Sequence, residues 1–141
     1  MIWFDFPMRL RTALKSLCCL AHSDAAMQSL EISARTGVSP SETAKVMQLL
    51  VLGGFVTSRR GSKGGFQLAG SPDQITTGKV INFFLAKRPL EPEGNCPVMC
   101  ALREMVTPCQ EAFARLTLAD IVGGRTKPSY KRPVGRVSGA R

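Results

Sequence analysis

Residues 95–109, NCPVMCALREMVTPC, hold Cys96, Cys100 and Cys109, three of the five cysteines in a chain of 141 residues. Thiolates are the ligands of iron-sulfur clusters and frequent ligands of zinc, so the grouping predicts metal ligation or thiol redox chemistry. The gaps of three and eight residues fit neither Cys-x-x-Cys nor a ferredoxin run, and the spacing alone names no metal. His22, Asp5 and Glu93 are the types available for a fourth ligand. With His22 the set would be a structural zinc site. The competing reading makes these thiols free, or small apolar core residues. On one unbroken helix, nine steps of about 100° would set Cys100 and Cys109 on opposite faces.

A second group of residues suits a polyanion. In residues 55–70, FVTSRRGSKGGFQLAG, the cations Arg59, Arg60 and Lys63 stand between two short apolar stretches, with Gly61, Gly64 and Gly65 among them. Glycine lets the backbone turn tightly or approach another molecule closely. Arginine and lysine are attracted by the negative potential of a phosphate backbone or a minor groove. Ordinary solvated charges on a glycine turn are the plainer alternative. Catalysis has little support, since His22 is the single histidine and no nucleophile, base and orienting partner can be assembled. This argues against an enzyme and against a small-molecule substrate.

These groups need a frame. Apolar residues at Leu10, Ala13, Leu14, Leu17, Cys18 and Ala21 keep the three-and-four spacing of an amphipathic helix, with Cys18 on its core side. A short helix through Leu30, Ile32 and Ala34 stops at Gly37. Residues 38–54 carry the strongest punctuation: Ser39 as cap, Pro40 at the first helical position, Glu42 closing a capping box, and Gly53-Gly54 as the stop. Val46, Met47, Leu50 and Val51 then face inward and leave Ser41, Glu42, Lys45 and Gln48 on a polar stripe. Two helices joined by Thr36-Gly37-Val38 form a helix-turn-helix, and strands Phe55 to Arg59 and Phe66 to Ala69 add a wing. The predicted contacts to double-stranded DNA are Ser39, Ser41, Glu42, Lys45 and Gln48 from the helix, and Arg59, Arg60, Lys63, Gly64 and Gly65 from the wing. Lys45 suits guanine, while Glu42 serves first as a cap.

Beyond the wing, Ile75, Val80, Ile81 and Phe84 predict a helix begun near Thr77, and Pro89, Pro92 and Gly94 open a loop. Ala101, Leu102, Met105, Ala112, Phe113 and Leu116 again have helical spacing, with Pro108 predicting a kink or break near Thr107. Thr117 to Asp120 reads as another capped start. The tail from Arg125 is basic, lacks periodicity and is expected to be disordered. It holds six of the 19 basic residues, so the net charge of +9 says less about the body than it first suggests. No run approaches the about 20 apolar residues of a membrane span, and Leu17 to Ala21 is too short for an export signal. An odd number of cysteines without such a signal points to reduced thiols in the cytoplasm.

Arg60-Gly61 followed by Gly64-Gly65-Phe66-Gln67-Leu68-Ala69 is close to the Arg-Gly...Gly-Gly-Tyr-x-Leu signature of the Rrf family of bacterial winged-helix regulators, the IscR, NsrR and CymR group. With the capped helix, QITTGKVI, the cysteine loop, ALRE and TLADIV, the chain resembles that family over residues 8–123. The resemblance implies a mainly α fold with a small β-hairpin: a winged helix-turn-helix DNA-binding domain over 8–88, a sensor loop and long dimerisation helix over 89–123, and the tail over 124–141. It further implies a homodimer on a near-palindromic operator, and in many members a 2Fe-2S or 4Fe-4S cluster that changes DNA affinity. Three departures stand out. The cysteine spacing differs from the family's regular one, so that Cys100 takes the place of its last cysteine and Cys109 is extra. Arg11 stands where nitric-oxide-sensing relatives have an aspartate ligand, and Ala44-Lys45 where the iron-sulfur biogenesis regulator has Glu-Gln. The expected function is thus a redox-controlled transcription regulator, against a small iron-sulfur electron-transfer protein, or a regulator with structural zinc or no metal.

Overall fold

A computed structural model of the chain describes residues 6–85 and 97–124. The core forms where the apolar spacing of the first three helices closes on itself. Helix α1 (Met8–Ala21) buries Leu10, Ala13, Leu17 and Leu20, α2 (Ser29–Thr36) buries Ile32, and α3 (Pro40–Leu52) buries Val46, Met47 and Leu50. Truncating any of the large members would cost about 2–5 kcal/mol, more than a surface contact supplies, so this core sets how α3 is presented. Leu30 and Ala34 depart from the sequence pattern: both are exposed, Leu30 by 66 %, and Ser33 takes the inward position next to Ile32. The reason is the turn that follows. Ser33 Oγ donates to the Val38 carbonyl at 2.6 Å, and Gly37, in the left-handed region at φ 69°, donates its N–H to the Ser33 carbonyl.

Gly53 and Gly54 end α3, and the chain enters β1 (Val56–Arg59), which pairs antiparallel with β2 (Gly65–Leu68). Val56 faces Leu68 and Arg59 faces Gly65; Arg59 ends β1 as expected, and the other three strand limits lie one residue from those expected. Val56 is buried while Thr57, Ser58 and Arg59 are exposed. A two-stranded hairpin is marginal in water without further support. That support comes from the segment between α1 and α2: the Met27 and Phe66 backbones exchange hydrogen bonds, at 2.9 Å from Met27 N–H and 2.7 Å from Phe66 N–H.

Helix α4 (Thr77–Leu85) begins where expected. Helix α5 (Pro97–Arg115) does not break near Thr107; it runs as one α-helix through Pro108. Proline there removes the N–H that would donate to the Glu104 carbonyl, at a cost of about 3 kcal/mol. Both residues are exposed, which leaves that carbonyl open to water. Contacts of the helix's second half offset the cost. Thr77 Oγ1 donates to the Phe113 carbonyl at 2.9 Å and Thr77 N–H to the Leu116 carbonyl at 2.8 Å, and the Phe6 and Phe113 rings meet edge to face. A Cβ on Gly78 would lie 3.0 Å from the Ala114 Cα, so α4 and α5 approach closely there. The expected capped start is present: Thr117 and Asp120 form a reciprocal capping box on α6 (Leu118–Val122). Leu118 is fully buried in the same core as Leu10 and Leu17, so the chain beyond α5 folds back into the helix-turn-helix body.

The breaker loop with Pro89, Pro92 and Gly94, the ligand candidates Asp5, Glu93 and Cys96, and the basic tail lie outside the described residues. Among the described residues, no helix is long and apolar enough to cross a membrane.

The hairpin's attachment gives a stability prediction. A Cβ on Gly65 (φ 141°) would sit 2.6 Å from the Met27 carbonyl oxygen, whereas one on Gly61 (φ 115°) meets nothing within 4 Å. Gly65→Ala is expected to lower the free energy of unfolding by about 2–3 kcal/mol, and Gly61→Ala by less, in urea denaturation. Equal losses would show that the close approach to Met27 is not what requires glycine.

Candidate nucleic-acid interface

Ser39 sits ahead of α3 with extended backbone and its Oγ accepts the Glu42 N–H at 3.3 Å. Pro40 at the first helical position costs no hydrogen bond. The cap fixes the helix start, and the 100° step does the rest: Ser39, Ser41, Lys45 and Gln48 are exposed, while Thr43, Val46, Met47 and Leu50 are buried. The expected capping box is only half made: Glu42 contributes its N–H but not its carboxylate, which is half-buried and lies 4.0 Å from Arg9 Nε on α1. It is the member of the helix set least available to a ligand.

Arg59, Arg60 and Lys63 are all exposed, and among the described residues none forms an ion pair. Cations left unpaired on a tip that carries no acidic residue are free to exchange their counterions for phosphate. Gly64 and Gly65 also have a role inside the protein. Gly64 is buried, and a Cβ on it would lie 2.3 Å from the Arg59 carbonyl oxygen; Gly65 is held by Met27. Their lack of a side chain serves close backbone packing inside the protein. Met27 is the residue that sequence pattern does not reveal, because its task is carried by backbone groups. Also unremarked by periodicity are the exposed cations Arg9, Arg11 and Lys15, which α1 places next to the start of α3.

The cysteines separate. Cys100 is exposed in the first turn of α5 and Cys109 is half-buried on the same helix. Because the helix is unbroken, they stand on opposite faces, about 13 Å apart along the axis. Among the described residues, no group of three or more His, Cys, Asp or Glu side chains is placed to hold a metal ion. The Cys96/Cys100/Cys109 ligand set is therefore not assembled by the described part of one chain. His22, the candidate for a zinc site, has its Nδ1 2.8 Å from the Cys18 carbonyl. Cys18 packs against the core as expected, and burial, then the neighbouring Cys19, pushes its thiol above the usual 9.0. Burial also raises Cys19, against the charge and hydrogen bond of Arg35.

A capped helix over a buried core, a tight glycine turn before it and a basic hairpin tied back to the helices together define a winged helix-turn-helix protein. The chain matches the family model described as "Rrf2: Iron-dependent Transcriptional regulator" over residues 7–124, and it belongs to that family. It is 30 % identical to Protein rrf2 of Nitratidesulfovibrio vulgaris over 102 residues, which cover 72 % of this chain and 61 % of that one, so it spans about three fifths of that relative's length. Its fold is similar to that of T. potens IscR, with a TM-score of 0.76 at 19 % identity, covering 92 % of this chain and 93 % of the other. It is likewise similar to CymR, the global cysteine regulator of B. subtilis, with a TM-score of 0.68 at 24 % identity over 86 % and 98 % of the two chains.

Burial orders the thiols by reactivity. Iodoacetamide at about pH 8 is expected to label exposed Cys100 well before Cys18, followed peptide by peptide in mass spectrometry. Equal rates would contradict their placement. Since the native chain holds the Cys18 proton more tightly than the unfolded chain, that contribution to stability is complete below pH 9.0 and is lost as pH rises through the native value.

Proposed function

We propose that the protein is a homodimeric DNA-binding transcription regulator acting in the cytoplasm on a near-palindromic operator. The observation that carries this is the pairing of an exposed polar stripe, Ser41, Lys45 and Gln48, on a helix with a fully buried opposite face, with a wing whose three cations have no acidic partner among the described residues. In this reading α3 enters a major groove and offers Lys45 and Gln48 to base edges, while Arg59, Arg60 and Lys63 meet the backbone or the adjacent minor groove. Base-edge contacts set sequence preference; phosphate contacts set register and affinity. Dimerisation is assigned to α5, a 19-residue helix that leaves Val98, Ala101 and Ala112 exposed.

Control is assigned to the start of α5, where Cys100 is exposed and follows Cys96 by four positions. The family's iron-sulfur cluster is not carried into the mechanism through Cys109, which faces away from Cys100. What remains is a thiol-based or cluster-based change of state at Cys96 and Cys100 that alters affinity for DNA. A tenfold change requires about 1.4 kcal/mol of coupling, within reach of reordering one segment.

Two tests follow, both on a duplex that the wild-type chain recovers from a randomised library of about 25 base pairs, long enough for two half-sites a helical turn apart. Arg60→Ala is expected to weaken binding by about 1–3 kcal/mol in fluorescence anisotropy, and unchanged affinity at both low and high salt removes Arg60 from the interface. Cys100→Ser is expected to erase the difference in affinity between anaerobically purified and oxidised protein. A difference that survives in the variant places the sensor elsewhere, and iron, sulfide and zinc analysis of the anaerobic wild type decides between cluster and thiol.

A further inference from the structure

Ser62 stands at the apex of the hairpin that forms the wing, and the fold makes no use of its hydroxyl. The Gly64 N–H donates to the Gly61 carbonyl at 2.9 Å, which closes a β-turn with Ser62 and Lys63 as its two central residues. Both are exposed, and a Cβ on neighbouring Gly61 would meet nothing within 4 Å, so the apex has open space beside it. Among the described residues the Ser62 hydroxyl has no hydrogen-bond partner. Behind the turn the strands are held, Arg59 opposite Gly65 and Phe66 bonded to Met27. A hydroxyl offered at a loop tip on a fixed base is accessible to a modifying enzyme. The residues before it supply a recognition signal. Arg59 and Arg60 precede Ser62 by three and two positions, and no other serine or threonine in the chain has arginine at both. An enzyme cleft lined with carboxylates would pair with two such guanidinium groups, and charge patterns of this kind are how kinases choose substrates. Both arginines are exposed and, like Lys63, make no ion pair among the described residues, and residues 55–70 contain no Asp or Glu to compete for them.

We infer that Ser62 is a phosphorylation site for an arginine-directed serine kinase, and that phosphate there switches off the wing. In the transfer the Ser62 Oγ attacks the γ-phosphorus of a nucleoside triphosphate. The Oγ–P bond forms as the bond from that phosphorus to its bridging oxygen breaks, the nucleoside diphosphate leaves, and the hydroxyl proton passes to the kinase's catalytic carboxylate. The product places a charge of about −1.5 to −2 among Arg59, Arg60 and Lys63 and gives them an internal partner. A duplex phosphate must then displace one that is covalently tethered beside the same cations, and the tether holds it at high effective concentration. The inference rests on the reading of the wing cations as DNA contacts and adds the regulation of those contacts.

The test treats the intact full-length chain with ATP and the catalytic subunit of cyclic-AMP-dependent protein kinase, an arginine-directed enzyme, and maps the product by peptide mass spectrometry. Phosphate is expected on Ser62 in wild type and at a slower rate in Arg59→Ala; an unmodified Ser62 in the intact wild type overturns the site. The phosphorylated chain is expected to lose about tenfold or more in affinity for the selected duplex, with the slope of log affinity against log salt lower by up to about 0.9 for each wing cation withdrawn. Phosphatase treatment restores both, and Ser62→Ala carried through the kinase step keeps its affinity. Saturating duplex is expected to slow incorporation at Ser62, since DNA and kinase need the same side chains. Affinity unchanged by phosphate, or incorporation unchanged by bound duplex, overturns the switch. Ser62→Glu and Ser62→Gln separate charge from bulk: the first is expected to weaken binding and the second to bind like wild type, while equal losses, or a lower melting temperature of the phosphorylated chain, make the effect structural and overturn the electrostatic account. If the wild-type chain recovers no preferred duplex, the proposed function fails; if it does and the phosphorylated chain binds it like wild type, only the switch fails.

Discussion

Two backbone hydrogen bonds between Met27 and Phe66 make the wing part of the protein rather than a hairpin attached to it. Without them β1 and β2 would be an isolated pair of short strands, and such pairs are marginal in water. With them the hairpin shares a frame with α1 and α2, whose buried residues also fix α3. The cations at its tip and the polar stripe of α3 are thereby held by one core. A site that must match a rigid duplex needs that common frame, because a tip free to swing would lose in ordering entropy what its charges contribute.

The bridge also explains the local sequence in a way that charge does not. Gly64 and Gly65 are required where β2 passes close to the Arg59 and Met27 carbonyl oxygens, and Gly65 adopts φ 141°. Arg59, Arg60 and Lys63, by contrast, make no ion pair among the described residues and do nothing visible for the fold. Side chains that a fold does not need, gathered on a strand and turn that it holds firmly, are what an electrostatic contact surface requires. Within the motif the glycines serve folding, and the cations are left for the proposed contact with DNA.

Much of this was legible in the sequence, for identifiable reasons. Capped starts at Ser39 and Thr117 are local hydrogen-bond patterns with fixed offsets; both caps are present, Thr117 with its full capping box and Ser39 without the reciprocal bond from Glu42. The core stripe of α1 and α3 follows from spacing alone. What escaped was non-local. Met27 acts through its backbone, so no side-chain pattern marks it. Leu30 fits an apolar rhythm yet is exposed, because Ser33 is turned inward by its bond to the Val38 carbonyl. Pro108 carries a strong local signal for a break, and tertiary contacts of Thr77 and Phe6 with the following turns override it.

The continuity of α5 bears directly on how the cysteine segment can act. A break at Thr107 would have let Cys109 fold back toward Cys100; an unbroken helix puts a half-turn of rotation and about 13 Å between them. In the proposed reading, a change of state at Cys100 would act on the exposed first turn of the helix, while Cys109 lies along the half that Thr77 and Phe113 hold against α4. The end of α5 leads through α6 and Leu118 into the core that also supports α3. A helix anchored in the core at one end can pass a small rearrangement at its other end on as a change in orientation. In the proposed dimer that change would alter the separation of two α3 helices, which is the quantity an operator of fixed half-site spacing measures.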